Sequence, residues 1–145
     1  MLDTTHTSGR VMAGLALGVL QAARARGADL VDVLQHWGLS EAQLTRSDAY
    51  VPVALHEQLW ADGAARLGDA LFGLRAAEHI TPGQTGVIEY ILRNCETVED
   101  AAQTWVRFAS AVSDRLEGAL VEVPGGVRLE WRLARPLCAA TAQWA

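Results

Sequence analysis

The sequence predicts an α+β fold: a mostly helical N-terminal part of about five to six helices, followed by an antiparallel β-hairpin. Three observations carry this reading. Apolar residues recur at three- and four-residue spacing from Val11 to Val112, the period of amphipathic helices. The pattern then becomes alternating, with Val127, Leu129, Trp131 and Leu133 separated by Arg128, Glu130 and Arg132, as in a half-buried strand. Pro124-Gly125-Gly126, between Leu116–Val123 and this segment, is a turn signal.

Taken in order, residues 1–9 are polar and expected to fray. A first helix is predicted over Val11–Arg26, with Gly27 as its C-cap. Asp29 can cap a short helix through Trp37, closed by Gly38. Ser40, with Gln43 three residues on, opens another short turn in the capping-box pattern. Pro52 suits the first turn of a longer helix, where its missing N–H costs nothing. Leu55, Leu59 and Leu67 give that helix its buried face, with Trp60 alongside; Gly68 stops it and Asp69 caps the next, to about His79.

Thr81 is expected to cap a helix with Pro82 at its first position and Val87, Ile88, Ile91 and Leu92 on one face. Thr97 caps the last long helix, with Asp100 in an acidic variant of the capping box. Val98, Ala101, Ala102, Trp105, Ala109 and Val112 form its apolar stripe. The hairpin follows, and Leu137 onward reads as the start of a further helix. An isolated hairpin is marginal in water, so these strands need a helix against their apolar face and something along their edges.

At 145 residues the chain fits one domain, here residues 10–145, large enough to bury about 70% of its unfolded surface. The net charge of −5, with acidic residues spread throughout, excludes the basic patch with which a domain usually neutralises nucleic-acid phosphates. Cys95 and Cys138 lie far apart without a C-x-x-C spacing; they imply no disulfide framework, and a cytoplasmic location is expected. The apolar run Val11–Leu20 superficially mimics a signal peptide. It follows an acidic residue and a single Arg, and is far short of the roughly 20 residues that span a bilayer. No membrane association is expected. Gly14 and Gly18 within it suit close packing.

Signatures of catalysis are absent: no G-x-S-x-G elbow, Walker loop, G-x-G-x-x-G or H-E-x-x-H occurs. His6, His36, His56 and His79 lack metal-ligand spacing, so neither a metal nor a cofactor is expected. The candidate effector-binding residues are Trp60, Tyr90, Arg93, Trp105 and Trp131. The three tryptophans sit on apolar faces and read first as core; the alternative is that one or two line an effector cavity. A Tyr on an otherwise apolar face needs a partner for its hydroxyl, which a ligand can supply. Arg93 reads as the partner of Glu89 in an exposed i,i+4 ion pair, or as an anchor for the effector.

The order and local wording of these segments resemble a known family. The matching pieces are Val33-Leu34-Gln35-His36-Trp37-Gly38-Leu39, Val51-Pro52 with Leu59-Trp60, and Gly68-Asp69-Ala70-Leu71-Phe72-Gly73-Leu74. Gly86 with Tyr90, Thr97-Val98-Glu99-Asp100-Ala101 and Val127-Arg128-Leu129-Glu130 complete the series. In this order they resemble the N-terminal regulatory domain of one branch of the AraC family of bacterial transcription regulators. The resemblance implies an effector-sensing or dimerising domain, controlling DNA binding by a C-terminal helix-turn-helix domain that this chain does not include. It also implies further strands and helices downstream, so the sequence reads as an incomplete regulatory domain. The implied partners are an unidentified small-molecule effector and a second copy of the chain, with DNA met only through the missing domain. The alternative is a stand-alone small-molecule-binding protein or small enzyme on a similar scaffold.

Overall fold

The first helix does not begin at Val11. In the computed structural model, which describes residues 9–79, 81–84 and 86–133, Arg10–Met12 form a strand, β1, and the helix α1 spans Ala13–Ala25. Strand β1 pairs antiparallel with β2, Tyr50–Pro52, with Val11 opposite Val51. Each strand runs directly into a helix, β2 into α4, Val53–Leu67. The junction residues share nearly one backbone conformation: Met12 at φ −54°, ψ 131° and Pro52 at φ −57°, ψ 136°. Three residues contain too little of a repeat for periodicity to reveal a strand. Pairing with β2, distant in sequence, sets the conformation at Val11.

The other edge of β1 is also engaged. Val11 bridges Ser113, and the Asp114 N–H donates to the Arg10 carbonyl at 3.0 Å. The Tyr50 hydroxyl donates to the Ala111 carbonyl at 2.7 Å. Val11, Val51, Val53 and Val112 are all buried around this junction.

Helix α1 packs on α4. Leu15, Val19 and Leu20 from the first, with Leu55, Leu59 and Trp60 from the second, form the centre of the core. Fully burying such a side chain stabilises by about 1.5–3 kcal/mol. The short helices α2, Val31–His36, and α3, Glu41–Leu44, close over this pair, and α5, Phe72–Ala76, seats Phe72 on Gly63. A Cβ at Gly63 would stand 2.6 Å from the Phe72 ring, so only glycine admits this contact. Ion pairs hold the helix ends: Arg24 to Glu41, Arg66 to Asp32, and Arg26 to Asp69.

Several sequence-predicted ends are present. After Gly27, Gly38 and Gly68, the next residue's N–H reaches back to the carbonyls of Ala23, Leu34 and Ala64, each at 3.0 Å, as in a Schellman cap. Ser40 and Gln43 form the capping box. Thr97 accepts from the Asp100 N–H at 3.0 Å, opening α7, Val98–Val112. The Asp100 carboxylate meets the Thr97 hydroxyl at 2.7 Å.

Other boundaries differ. The helix expected from Asp69 to His79 is α5 followed by a 3-10 turn, Ala77–His79, with Asp69 accepting from the Leu71 N–H at 3.0 Å. The helix expected from Thr81 begins only at Val87, as α6, Val87–Arg93. Gly83 at φ +97° and Gly86 at φ +61° hold left-handed conformations that end any helix started at Pro82. Of the expected α6 face, Ile88 is buried, whereas Val87 is 67% exposed. The described residues contain seven α-helices against the five to six expected, because the short turn expected at Ser40 is a helix of its own, α3.

Strands β3, Leu116–Val123, and β4, Gly126–Leu133, form the expected hairpin. Its turn is Pro124-Gly125, with Gly125 at φ +88°. Leu120 lies opposite Leu129 and Gly118 opposite Trp131. Helix α7 packs against β3, and Trp105 meets Trp131 edge-on with ring centroids 5.8 Å apart. Such a pair contributes about 0.5–1.5 kcal/mol beyond its area. The Arg115 guanidinium, buried at the start of the hairpin, reaches Glu57 of α4 at 3.1 Å. The fraying expected at 1–8, the helix expected from Leu137, and Cys138 lie outside the described residues.

Stability is expected to fall in mild acid. His56 is only 6% exposed, and its Nε2 accepts from the Trp60 indole at 3.2 Å. Burial lowers its pKa from 6.5 to about 4. The unfolded chain therefore takes up a proton, between pH 6.5 and 4, that the folded chain refuses. The contribution is complete above the unfolded value and is lost as pH falls through this window, by about 3 kcal/mol in all. Urea unfolding at pH 7 and pH 5 should show this loss, and His56→Gln should flatten it; an unchanged slope in the variant would assign the acid sensitivity elsewhere.

Candidate functional site

Among the described residues, a cleft of about 240 Å³ opens beside α1. One wall is α1 itself, presenting Gly14, Leu17 and Gln21. A second is the end of α3 with the loop into β2, Leu44 to Ser47. The third is the segment Thr81–Gln84 with Gly86. Met12, Leu17 and Leu44 supply apolar surface; Gln21, Thr45, Arg46, Ser47 and Gln84 supply polar groups. Small-ligand sites are usually mostly apolar with a few placed polar groups; this lining mixes apolar and polar groups in nearly equal measure. The volume of about 240 Å³ lies below the roughly 300–1,000 Å³ of drug-sized pockets.

The third wall is seated by glycine. A Cβ at Gly14 would lie 2.0 Å from the Gln84 carbonyl oxygen, and one at Gly18 would lie 2.8 Å from the Gln84 side-chain oxygen. The spacing of Gly14 and Gly18 thus serves the close approach of a loop. Gln84 Nε2 then donates to Gln21 Oε1 at 2.9 Å, which joins two walls of the cleft. The Gly83 N–H donates to Glu89 Oε2 at 2.6 Å, tying the same segment to α6.

The rim is close to electrically neutral. Arg46 binds Asp48 through two contacts of 3.3 Å, and this partner holds the Asp48 carboxyl below its ordinary range. Among the described residues no group of three or more His, Cys, Asp or Glu could hold a metal ion. None of the described helices is long and apolar enough to cross a membrane.

The five residues singled out from the sequence do not converge. Trp60 is 2% exposed in the core, with its ring centroid 5.4 Å from that of Phe72. Trp105 and Trp131 meet each other between α7 and the hairpin. Tyr90 and Arg93 share α6, close to the cleft. Tyr90 is 60% exposed, and its hydroxyl oxygen lies 3.8 Å from where a Gly83 Cβ would stand. Arg93 pairs with Glu89 at 2.9 Å, the residue that also binds Gly83. The cleft-lining Gln21, Ser47 and Gln84 were missed because they sit in three separate segments with no motif between them. The available signal was the Gly14–Gly18 spacing.

The seat yields a direct test. Gly14→Ala should push the Gln84 segment off α1 and lower stability by about 1–3 kcal/mol, the usual cost of overpacking. Hydrogen exchange should rise at residues 83–92 with α4 unaffected; unchanged exchange there would refute the seat.

The comparison with known families bears on this arrangement. A family model described as the arabinose-binding domain of AraC transcription regulators, N-terminal, matches residues 27–144. No curated protein matches the chain. The matched family is a ligand-binding regulatory domain of transcription regulators, not an enzyme family.

Proposed function

This chain belongs to the family of N-terminal arabinose-binding domains of AraC transcription regulators, and we propose that it senses its effector in the cleft beside α1. The observation that carries the proposal is a concave, near-neutral site walled by three chain segments, one of them tied directly to α6. A ligand there touches Gln21 and Gln84, whose mutual hydrogen bond it can replace with bonds of its own. Tyr90 and Arg93 serve at the rim. Trp60, Trp105 and Trp131 act by packing.

In this reading the domain works as a homodimer in the cytoplasm and governs a helix-turn-helix DNA reader elsewhere in the protein. Effector binding shifts a population between two arrangements of the dimer, and so changes how the readers are presented to DNA. Only a ligand with different affinity for the two arrangements can do this.

A thermal-shift screen of sugars, amino acids, organic acids and fatty acids tests the site. A ligand at 100 times its Kd stabilises by about 2.7 kcal/mol. Leu17→Trp, which fills the cleft from α1, should abolish the shift while the ligand-free melting temperature stays within a few degrees. A shift that survives the filled cleft would place the effector elsewhere.

A further inference from the structure

We infer that the effector sensed in the cleft beside α1 is a carboxylic acid, and that Arg46 selects it by releasing Asp48 and binding the carboxylate of the ligand in its place. The inference rests on the sensing site proposed above and names its chemistry.

The lining of the cleft is uneven in charge. Among its described residues Arg46 carries the only formal charge, and Asp48 is not one of them. The near-neutrality of the rim therefore lasts only while Asp48 stays on Arg46. Among the described lining residues no anion stands ready for an ammonium group, so a cationic ligand is poorly matched. Met12, Leu17 and Leu44 offer apolar surface to the rest of the molecule, which a sugar, hydroxylated on every side, uses poorly.

Arg46 is held firmly by its backbone and loosely by its side chain. The Ala49 N–H donates to the Arg46 carbonyl at 3.1 Å, and the Ala13 N–H donates to the Ala49 carbonyl at 2.9 Å. The turn from Arg46 to Ala49 is thereby fixed to the start of α1, one wall of the cleft. The ion pair is slack by comparison. Both contacts to Asp48 are 3.3 Å, beyond the roughly 2.7–2.9 Å usual between charged partners, whereas Arg66 meets Asp32 twice at 2.7 Å. The Arg46 and Asp48 side chains are 69% and 73% exposed, and pairs so open to water contribute little. Exchange leaves Asp48 solvated, with no charge stranded in the interior. The planar guanidinium presents parallel donors that match a carboxylate. A phosphate dianion would bring a second charge that one Arg does not balance.

In a thermal-shift assay on the full chain, butyrate, hexanoate and phenylacetate are compared with their primary amides. The acids should raise the melting temperature and the amides should not. Titration calorimetry should show Arg46→Gln weakening acid binding by about tenfold or more, and Asp48→Asn, which removes the competing carboxylate, tightening it. Both positions are exposed, so neither variant should move the ligand-free melting temperature by more than a few degrees. Amides that act as strongly as their acids, with the shift lost in Leu17→Trp, overturn the carboxylate and leave the cleft as the sensing site. Acid binding indifferent to Arg46→Gln, or no shift by any of the three acids, overturns it equally. An acid-induced shift that survives Leu17→Trp puts the ligand outside the cleft and overturns the sensing site as well.

Discussion

The three residues Arg10–Met12 join the two parts of this molecule. Their strand accepts β2 on one edge and the turn after α7 on the other. Backbone groups buried at such a junction must be hydrogen-bonded, since each one left unsatisfied costs roughly 1–3 kcal/mol. The helical core is anchored through α1 and α4, which leave the two strands directly. The α7–hairpin unit is anchored through Ser113, Asp114 and Arg115. Buried valines surround the junction, so hydrogen bonding and apolar burial fix the same geometry.

Much of the fold was legible from local chemistry. Gly27, Gly38, Gly68, Ser40 and Thr97 stand at helix ends because their conformations or side chains satisfy end groups nearby in sequence. The hairpin was legible for a similar reason: its turn and its alternation lie in one continuous stretch. What failed was non-local or depended on two competing local signals. Strand β1 depends on β2 and Ser113, both far along the chain. At Pro82 a good first helical residue is followed by Gly83 and Gly86, and the glycines prevail.

The candidate site was less legible. Aromatic residues attracted attention because they are large and amphipathic, yet the same properties place Trp60 in the core and Trp105 against Trp131. The cleft depends on what two glycines omit. Gly14 and Gly18 contribute absent side chains, and Gln84 fills the space. A sequence states which side chains are present, whereas a seat for a distant loop becomes visible only once that loop has arrived. The family match gives the ligand-sensing role, and the cleft beside α1 is where we propose that a ligand sits.

The double engagement of β1 also constrains the order of assembly. Val11 and Ser113 meet across most of the chain, and contacts so distant in sequence form slowly because a long loop must be closed first. As the protein emerges from the ribosome, β2 can reach β1 early, but the opposite edge waits until Ser113 has been made. During that interval a nascent molecule carries a short bare strand beside a half-built apolar core, a combination prone to mispairing with its neighbours. The brevity of β1 then becomes protective, because three residues offer a stray strand little to grip.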